Sequence, residues 1–204
     1  DLARVGEFCE KHDLILISDE IHNDLVFSQK KHTMFPVAAP DIIDRLVVLV
    51  SSSKTFNIAG GLMGNVIIEN LTLRRKFQQA HKAIGTMPNL FGMKIAESVY
   101  RNGHAWLDQL LIYLEKNVEL FDEGISKIPG LRSMKLSATY LAWVDFSMTG
   151  LPEKSIIERV HHTAGIAASI GSSFGRGGHS FMRFNLACPR VNVLNAVKRL
   201  QSAF

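Results

Sequence analysis

Leu46-Val47-Val48-Leu49-Val50-Ser51-Ser52-Ser53-Lys54-Thr55-Phe56-Asn57-Ile58-Ala59-Gly60-Gly61 begins as an apolar run and breaks into hydroxyls, a lysine and small residues. The run is short and rich in β-branched side chains, so it predicts a strand buried on both faces, as in a parallel sheet. A lysine just past the end of such a strand is unusual. Burial readily strips a lysine of its charge, which suits it to bonding covalently with a carbonyl group. An isolated Ser-Lys turn would be read as solvated; the flanking chain decides otherwise.

Upstream, Asp1–His12 places apolar residues at 2, 5, 8 and 9, the spacing of one helix face. Leu14-Ile15-Leu16-Ile17-Ser18-Asp19-Glu20 then predicts a second buried parallel strand with its carboxyl end at Asp19. Residues 23–44 show no periodicity, contain Pro36 and Pro40, and read as a long loop, more often functional than idle. Downstream of the lysine, 63–69 predicts a strand packed closely where Gly60, Gly61 and Gly64 permit it. Helices follow at 71–84, 89–101 and 104–127, the last stepping by three and four from Leu107 to Phe121 and stopped by Pro129-Gly130. Strands at 140–146, 165–170 and 181–187 alternate with helices at 152–162 and 191–202. The fold class is α/β: the carboxyl-terminal part of a mostly parallel sheet with helices (1–103), a connecting long helix (104–129) and a small α+β domain (130–204).

Bulk composition narrows the function. The sequence has 204 residues, 47% hydrophobic and 21% charged, as in ordinary globular proteins. A net charge of +4 is spread among acids, which argues against a nucleic-acid surface. Two cysteines, Cys9 and Cys188, make neither a disulfide framework nor a metal-binding spacing, and no metal site is expected. No apolar run is long enough to span a bilayer, so a cytoplasmic protein is expected.

In open α/β sheets ligands bind beyond the carboxyl ends of the strands. Asp19 and Lys54 both fall there, an acid and an amine facing one crevice. At this point Ser18-Asp19-Glu20-Ile21-His22 and Ser51–Gly60 closely resemble the fold-type I pyridoxal-phosphate enzymes. Within them the sequence looks most like the cystathionine β-lyase branch of the MalY/PatB type, related to class I and II aminotransferases. Tyr140-Leu141-Ala142-Trp143 and the segment from Phe181 to Arg190 resemble the same branch, in the same order.

The resemblance implies pyridoxal 5'-phosphate as cofactor, bonded covalently to Lys54, which then moves the substrate's α-proton. It implies Asp19 against the pyridine nitrogen, keeping that nitrogen protonated. His22 falls where aminotransferases carry a tyrosine near the ring's phenolic oxygen. Ser51 and Ser53 match hydroxyls that hold the cofactor phosphate. Where many aminotransferases add a phosphate-binding arginine, this sequence has Leu62. Arg183 matches the arginine that grips the substrate's α-carboxylate by two parallel bonds. Arg190 reads as structural, and the loop from Gly171 to Gly178 as a mobile substrate-side loop without the lysine of a nucleotide loop. Trp143 and Tyr140 fit cleft lining and small-domain core equally.

The implied activity is a carbon–sulfur β-lyase on cystathionine or related cysteine S-conjugates, with an aminotransferase as the alternative. Family members are about twice as long and are homodimers. The sequence therefore reads as a carboxyl-terminal half, and a truncated, non-catalytic product or interaction module is a third reading.

Overall fold

A computed structural model describes residues 1–27 and 30–204. The chain divides into two compact units, Asp1–Gln109 and Leu110–Phe204.

The first unit opens with α1 (Leu2–Lys11), β1 (Leu16–Asp19), α2 (Phe35–Ala38), a 3-10 turn at Pro40–Arg45 and β2 (Leu46–Val50). The lysine lies in the single-turn α3 (Ser52–Thr55), followed by a 3-10 turn at Ala59–Gly61, β3 (Asn65–Ile67), α4 (Leu71–Ile84) and α5 (Leu90–Asn102). β1 and β2 are parallel, with Asp19 opposite Leu49, and β3 runs antiparallel to β2. Leu46 and Val48 pack with Phe35, Ala39 and Ile42 into a core on one side of this sheet. Asn70 caps α4 by accepting from Leu73 N at 2.9 Å, and Gly85, with φ of 73°, ends it in the left-handed conformation that favours glycine.

Two expectations need correction. The loop at 23–44 carries α2 and the 3-10 turn, elements too short to leave a period in the sequence; Ser28 and Gln29 of that loop lie outside the described residues. β1 was expected to be buried, yet Ile15 is 58% and Ile17 63% exposed. It pairs with β2 alone among the described strands, which leaves one edge open, and the exposed Ile15 and Ile17 mark a face that is not covered.

The long helix α6 (His104–Ile125) is shared, belonging to the second unit from Leu110 onward. That unit continues with β4 (Arg132–Ser133), β5 (Leu141–Asp145), a 3-10 turn at Ser147–Thr149, and α7 (Glu153–Glu158), which runs into a π-helical turn at Arg159–Thr163. β6 (Ser169–Ile170), two 3-10 turns at Gly171–Phe174 and Arg176–Gly178, β7 (Phe181–Asn185) and α8 (Arg190–Ala203) complete it. Its antiparallel sheet has the order β4-β5-β7-β6. Ala142, Val144, Met182 and Phe184 alternate onto the buried face with Phe121, Val197 and Leu200 of the helices. Gly124 on α6 lets Val197 of α8 come so close that a Cβ would collide with it. Asn117, fully buried on α6, donates to Leu186 O and Cys188 O, both at 3.0 Å, and accepts from Arg190 Nε at 3.2 Å. Among the described residues no helix is long and apolar enough to cross a membrane.

Candidate active site

The carboxyl ends of β1 and β2 bring Asp19, His22, Ser51, Ser53 and Lys54 to one edge of the first unit's sheet. Parallel strands lie about 4.8 Å apart, and Asp19 stands opposite Leu49, two residues before Ser51. Asp19 is exposed; its Oδ1 accepts from Ile21 N at 3.2 Å and its other oxygen has no hydrogen bond among the described residues. His22 is half-buried in the turn that follows β1.

Ser51 caps the lysine turn: its hydroxyl oxygen accepts from Ser53 N at 3.1 Å. Both hydroxyls donate to Met63 O, Ser51 at 2.6 Å and Ser53 at 3.2 Å. That shared acceptor lashes α3 to the chain entering β3. Lys54, half-buried, makes no hydrogen bond or ion pair among the described residues. An amine held at a strand end with no partner is free to form a bond to a ligand.

Neighbouring side chains fix this turn. Thr55 is fully buried and its hydroxyl donates to Asp24 Oδ2 at 2.8 Å, tying α3 to the turn that carries His22. Phe56 packs against Tyr100 (edge-on, 6.0 Å) and Trp106 (6.1 Å). Burial pushes the Tyr100 hydroxyl above its ordinary pKa and the Asp24 carboxylate adds to this, while the nearby Ser52 hydroxyl pulls the other way. Asn89 accepts from Gly92 N at 2.6 Å and donates to Gly61 O at 2.9 Å, so the cap of α5 holds the glycine turn beyond the lysine. Leu62, in the place of the family's arginine, is 80% exposed and left-handed with φ of 50°.

Glu20 was missed in the sequence. It is 5% exposed and its carboxylate accepts from Ser18 Oγ (3.2 Å) and Phe35 N (3.0 Å) and pairs with His32 Nε2 (2.5 Å). Asp19 faces outward while Glu20 anchors the segment at 32–35 inward. The alternation of strand residues across a sheet could have signalled this division.

In the first unit, then, the donor set comprises an uncommitted amine, a carboxylate with one open oxygen and two serine hydroxyls. That set suits a ligand bearing a carbonyl, a protonated ring nitrogen and a phosphate. The serine protons are directed at Met63 O, so the serines fit less directly than Lys54 and Asp19.

Arg183 belongs to the second unit, on β7 directly opposite Trp143 of β5. Both lie on the face turned away from the core. The Arg183 guanidinium carbon sits 4.5 Å from the centroid of the Phe174 ring, and the group makes no hydrogen bond or ion pair among the described residues. Trp143 stacks on Phe181 at 5.4 Å and meets Phe174 edge-on at 5.7 Å, so it lines this outer face and not the core. Burial pushes the Tyr140 hydroxyl above its ordinary pKa. Arg190 N donates to Tyr113 Oη at 2.7 Å and its guanidinium lies over the Tyr113 ring, a structural role. Cys9 and Cys188 are free thiols.

Known proteins similar to this chain include lyases and aminotransferases. A family model for aminotransferase class I and II matches residues 1–200. The chain is 35% identical over 206 residues to cystathionine β-lyase PatB of Bacillus subtilis, a match covering 100% of this chain and 53% of PatB. Its structure is similar to that of cystalysin from Treponema denticola, which contains a pyridoxal 5'-phosphate cofactor, with a TM-score of 0.95, 34% identity and coverage of 99% of this chain and 52% of cystalysin. It matches a PLP-bound putative aminotransferase from Clostridium difficile equally well, with a TM-score of 0.95, 33% identity and coverage of 99% and 53%. The chain spans about half the length of the curated relatives it matches. It belongs to the aminotransferase class I and II family.

Proposed function

We propose that the whole protein is a pyridoxal-phosphate-dependent carbon–sulfur β-lyase acting on cystathionine or related cysteine S-conjugates. The observation that carries this is Lys54: an amine with no partner among the described residues, held just past the carboxyl end of β2, the strand that pairs with the one ending at Asp19. The likeness to PatB and cystalysin supports the choice of reaction.

Lys54 would hold the cofactor through its amine and would take the proton from the substrate's α-carbon. Asp19 would hold the ring nitrogen and keep it protonated. When bound, the cofactor supplies an electron sink for the charge left at the α-carbon. Ser51 and Ser53 would have to turn their hydroxyl protons from Met63 O to hold its phosphate, and His22 would lie near its phenolic oxygen. By the family resemblance Arg183 would hold the substrate's α-carboxylate. The thiolate leaves the β-carbon with the electron pair of the carbon–sulfur bond, and water converts the remainder to pyruvate and ammonia.

The test is direct. Protein expressed from its full reading frame, given pyridoxal phosphate and L-cystathionine, is expected to release free thiol and pyruvate in equal amounts. Lys54→Ala should lower turnover by on the order of a thousandfold or more and abolish the long-wavelength absorbance of lysine-bound cofactor. Cofactor uptake without thiol or pyruvate would rule out the lyase.

An aminotransferase is the second reading, favoured by the equal likeness to the Clostridium difficile structure. It would consume an added keto acid without releasing thiol. The family resemblance further supports a cytoplasmic homodimer for the whole protein, which sedimentation of the full-length chain would test.

A further inference from the structure

The segment Gly171-Ser172-Ser173-Phe174-Gly175-Arg176-Gly177-Gly178 ends on two glycines that press on each other. A Cβ on Gly171 would strike the Gly178 carbonyl, and one on Gly178 would strike the Gly171 backbone. The close approach draws the segment into a lobe built from two 3-10 turns. Gly175, with φ of 127°, reverses the chain directly after Phe174, a conformation open in practice only to glycine. Ser173 Oγ donates back to Ile170 O at 2.6 Å and steadies the first turn.

This geometry sets an aromatic ring at the tip of a pinched lobe. Phe174 is 53% exposed. One side of it meets the edge of Trp143, and the Arg183 guanidinium lies over its face. Trp143 is itself stacked on Phe181 with the two planes 12° apart. Phe181, Trp143 and Phe174 thus form an aromatic shelf beside Arg183. An arginine has many rotamers, and fixing one in advance spares a ligand the entropy of fixing it on binding. Contact with a ring does this without using any N–H donor, so all five remain for a carboxylate.

We propose that Phe174 is a positioning residue: it holds the Arg183 guanidinium in place and unspent, ready for a carboxylate. The Gly171–Gly178 lobe, expected from the sequence to be a mobile loop, is on this proposal a fixed bracket for the ring, pinched by the contact of its two end glycines. The choice of carboxylate, that of an amino-acid substrate, rests on the function proposed above, whereas the bracket itself does not.

The experiment uses the full-length protein with Phe174→Leu, Phe174→Tyr, Arg183→Lys and the double variant Phe174→Leu/Arg183→Lys. Two readouts separate the bracket from the reaction. In the first, an arginine-directed dicarbonyl reagent labels Arg183, followed by mass spectrometry, with sodium propionate as the protecting carboxylate; no cofactor is needed. Phe174→Leu should raise the propionate concentration for half-protection about fivefold, while Phe174→Tyr protects like the parent. In the second, KM for L-cystathionine should rise by a similar factor in Phe174→Leu with kcat within about twofold and the cofactor absorbance unchanged. Adding Phe174→Leu to Arg183→Lys should cost much less than its single effect, because the ring acts through the guanidinium. Unchanged propionate protection in Phe174→Leu, or a fully additive double variant, overturns the proposal. Loss of protection in a protein that takes up no cofactor would sink the lyase reading and leave the bracket standing.

Discussion

Asp19 and Glu20 are adjacent acids with opposite fates. Asp19 faces outward at the carboxyl edge of β1, and Glu20 is buried with His32, Ser18 and Phe35 N around it. Replacing Glu20 by alanine leaves the buried Phe35 N–H without its acceptor and the exposed His32 imidazole without its partner, and is expected to destabilise the protein by about 1–3 kcal/mol, measured by urea unfolding. Glu20→Gln should cost less. Asp122 offers a pH test. Burial pushes its carboxyl above the ordinary value, against the Ser133 hydroxyl and the Lys135 charge, which pull it down. The folded form therefore holds this proton more tightly than the unfolded chain, and ionised Asp122 weakens the fold at neutral pH. Asp122→Asn should raise the urea midpoint at pH 7, with the gain shrinking as pH falls through the raised value and gone below the ordinary one. The placement of Lys54 and Asp19 at the ends of β2 and β1 was legible in the sequence because strand ends are local. Glu20 was not, since its partners arrive from residues 32 and 35 through a stretch without periodicity, and neither was Phe174, whose contact with Arg183 depends on two glycines meeting.

At the scale of elements, long helices and apolar strands were legible from spacing alone. The helices predicted at 71–84, 89–101 and 104–127 match α4, α5 and α6 over nearly their observed lengths, the last from its three-and-four steps. The single-turn α2, the 3-10 turn at Pro40–Arg45 and the two-residue β4 were not, because none is long enough to repeat a pattern. Nor could an apolar run reveal which strand has an uncovered face. Two substitutions test how elements are joined. Asn89→Ala removes both the cap of α5 and its bond to Gly61 O, and should cost about 1–2 kcal/mol, with a secondary loss of affinity for whatever Lys54 binds. Gly124→Ala forces apart α6 and α8 at Val197, and overpacking of this kind costs about 1–3 kcal/mol. Thermal unfolding measures both.

For the molecule as a whole, the family was legible because four motifs appear in register along the chain. The partner surfaces were not. In the first unit Ile15 just before β1, Ile17 on β1, and Val66 and Ile67 on β3 lie open to solvent. Exposed apolar surface on this scale attracts hydrophobic dyes and promotes association. The 204-residue chain should bind such a dye in its native state, and Ile15→Lys with Ile17→Lys should reduce dye binding and raise soluble yield, with the urea midpoint nearly unchanged. The buried Asn117 amide has a further consequence, which concerns the order of synthesis. Its acceptors, the carbonyls of Leu186 and Cys188, lie 69 and 71 residues farther along the chain. At roughly 5–20 residues per second, a ribosome needs several seconds to deliver them. Through that interval the apolar stripe of α6 waits, with its amide unsatisfied, for β7 and α8. A nascent chain halted before residue 186 should therefore remain bound to chaperones and open to proteases, and one released after α8 should close.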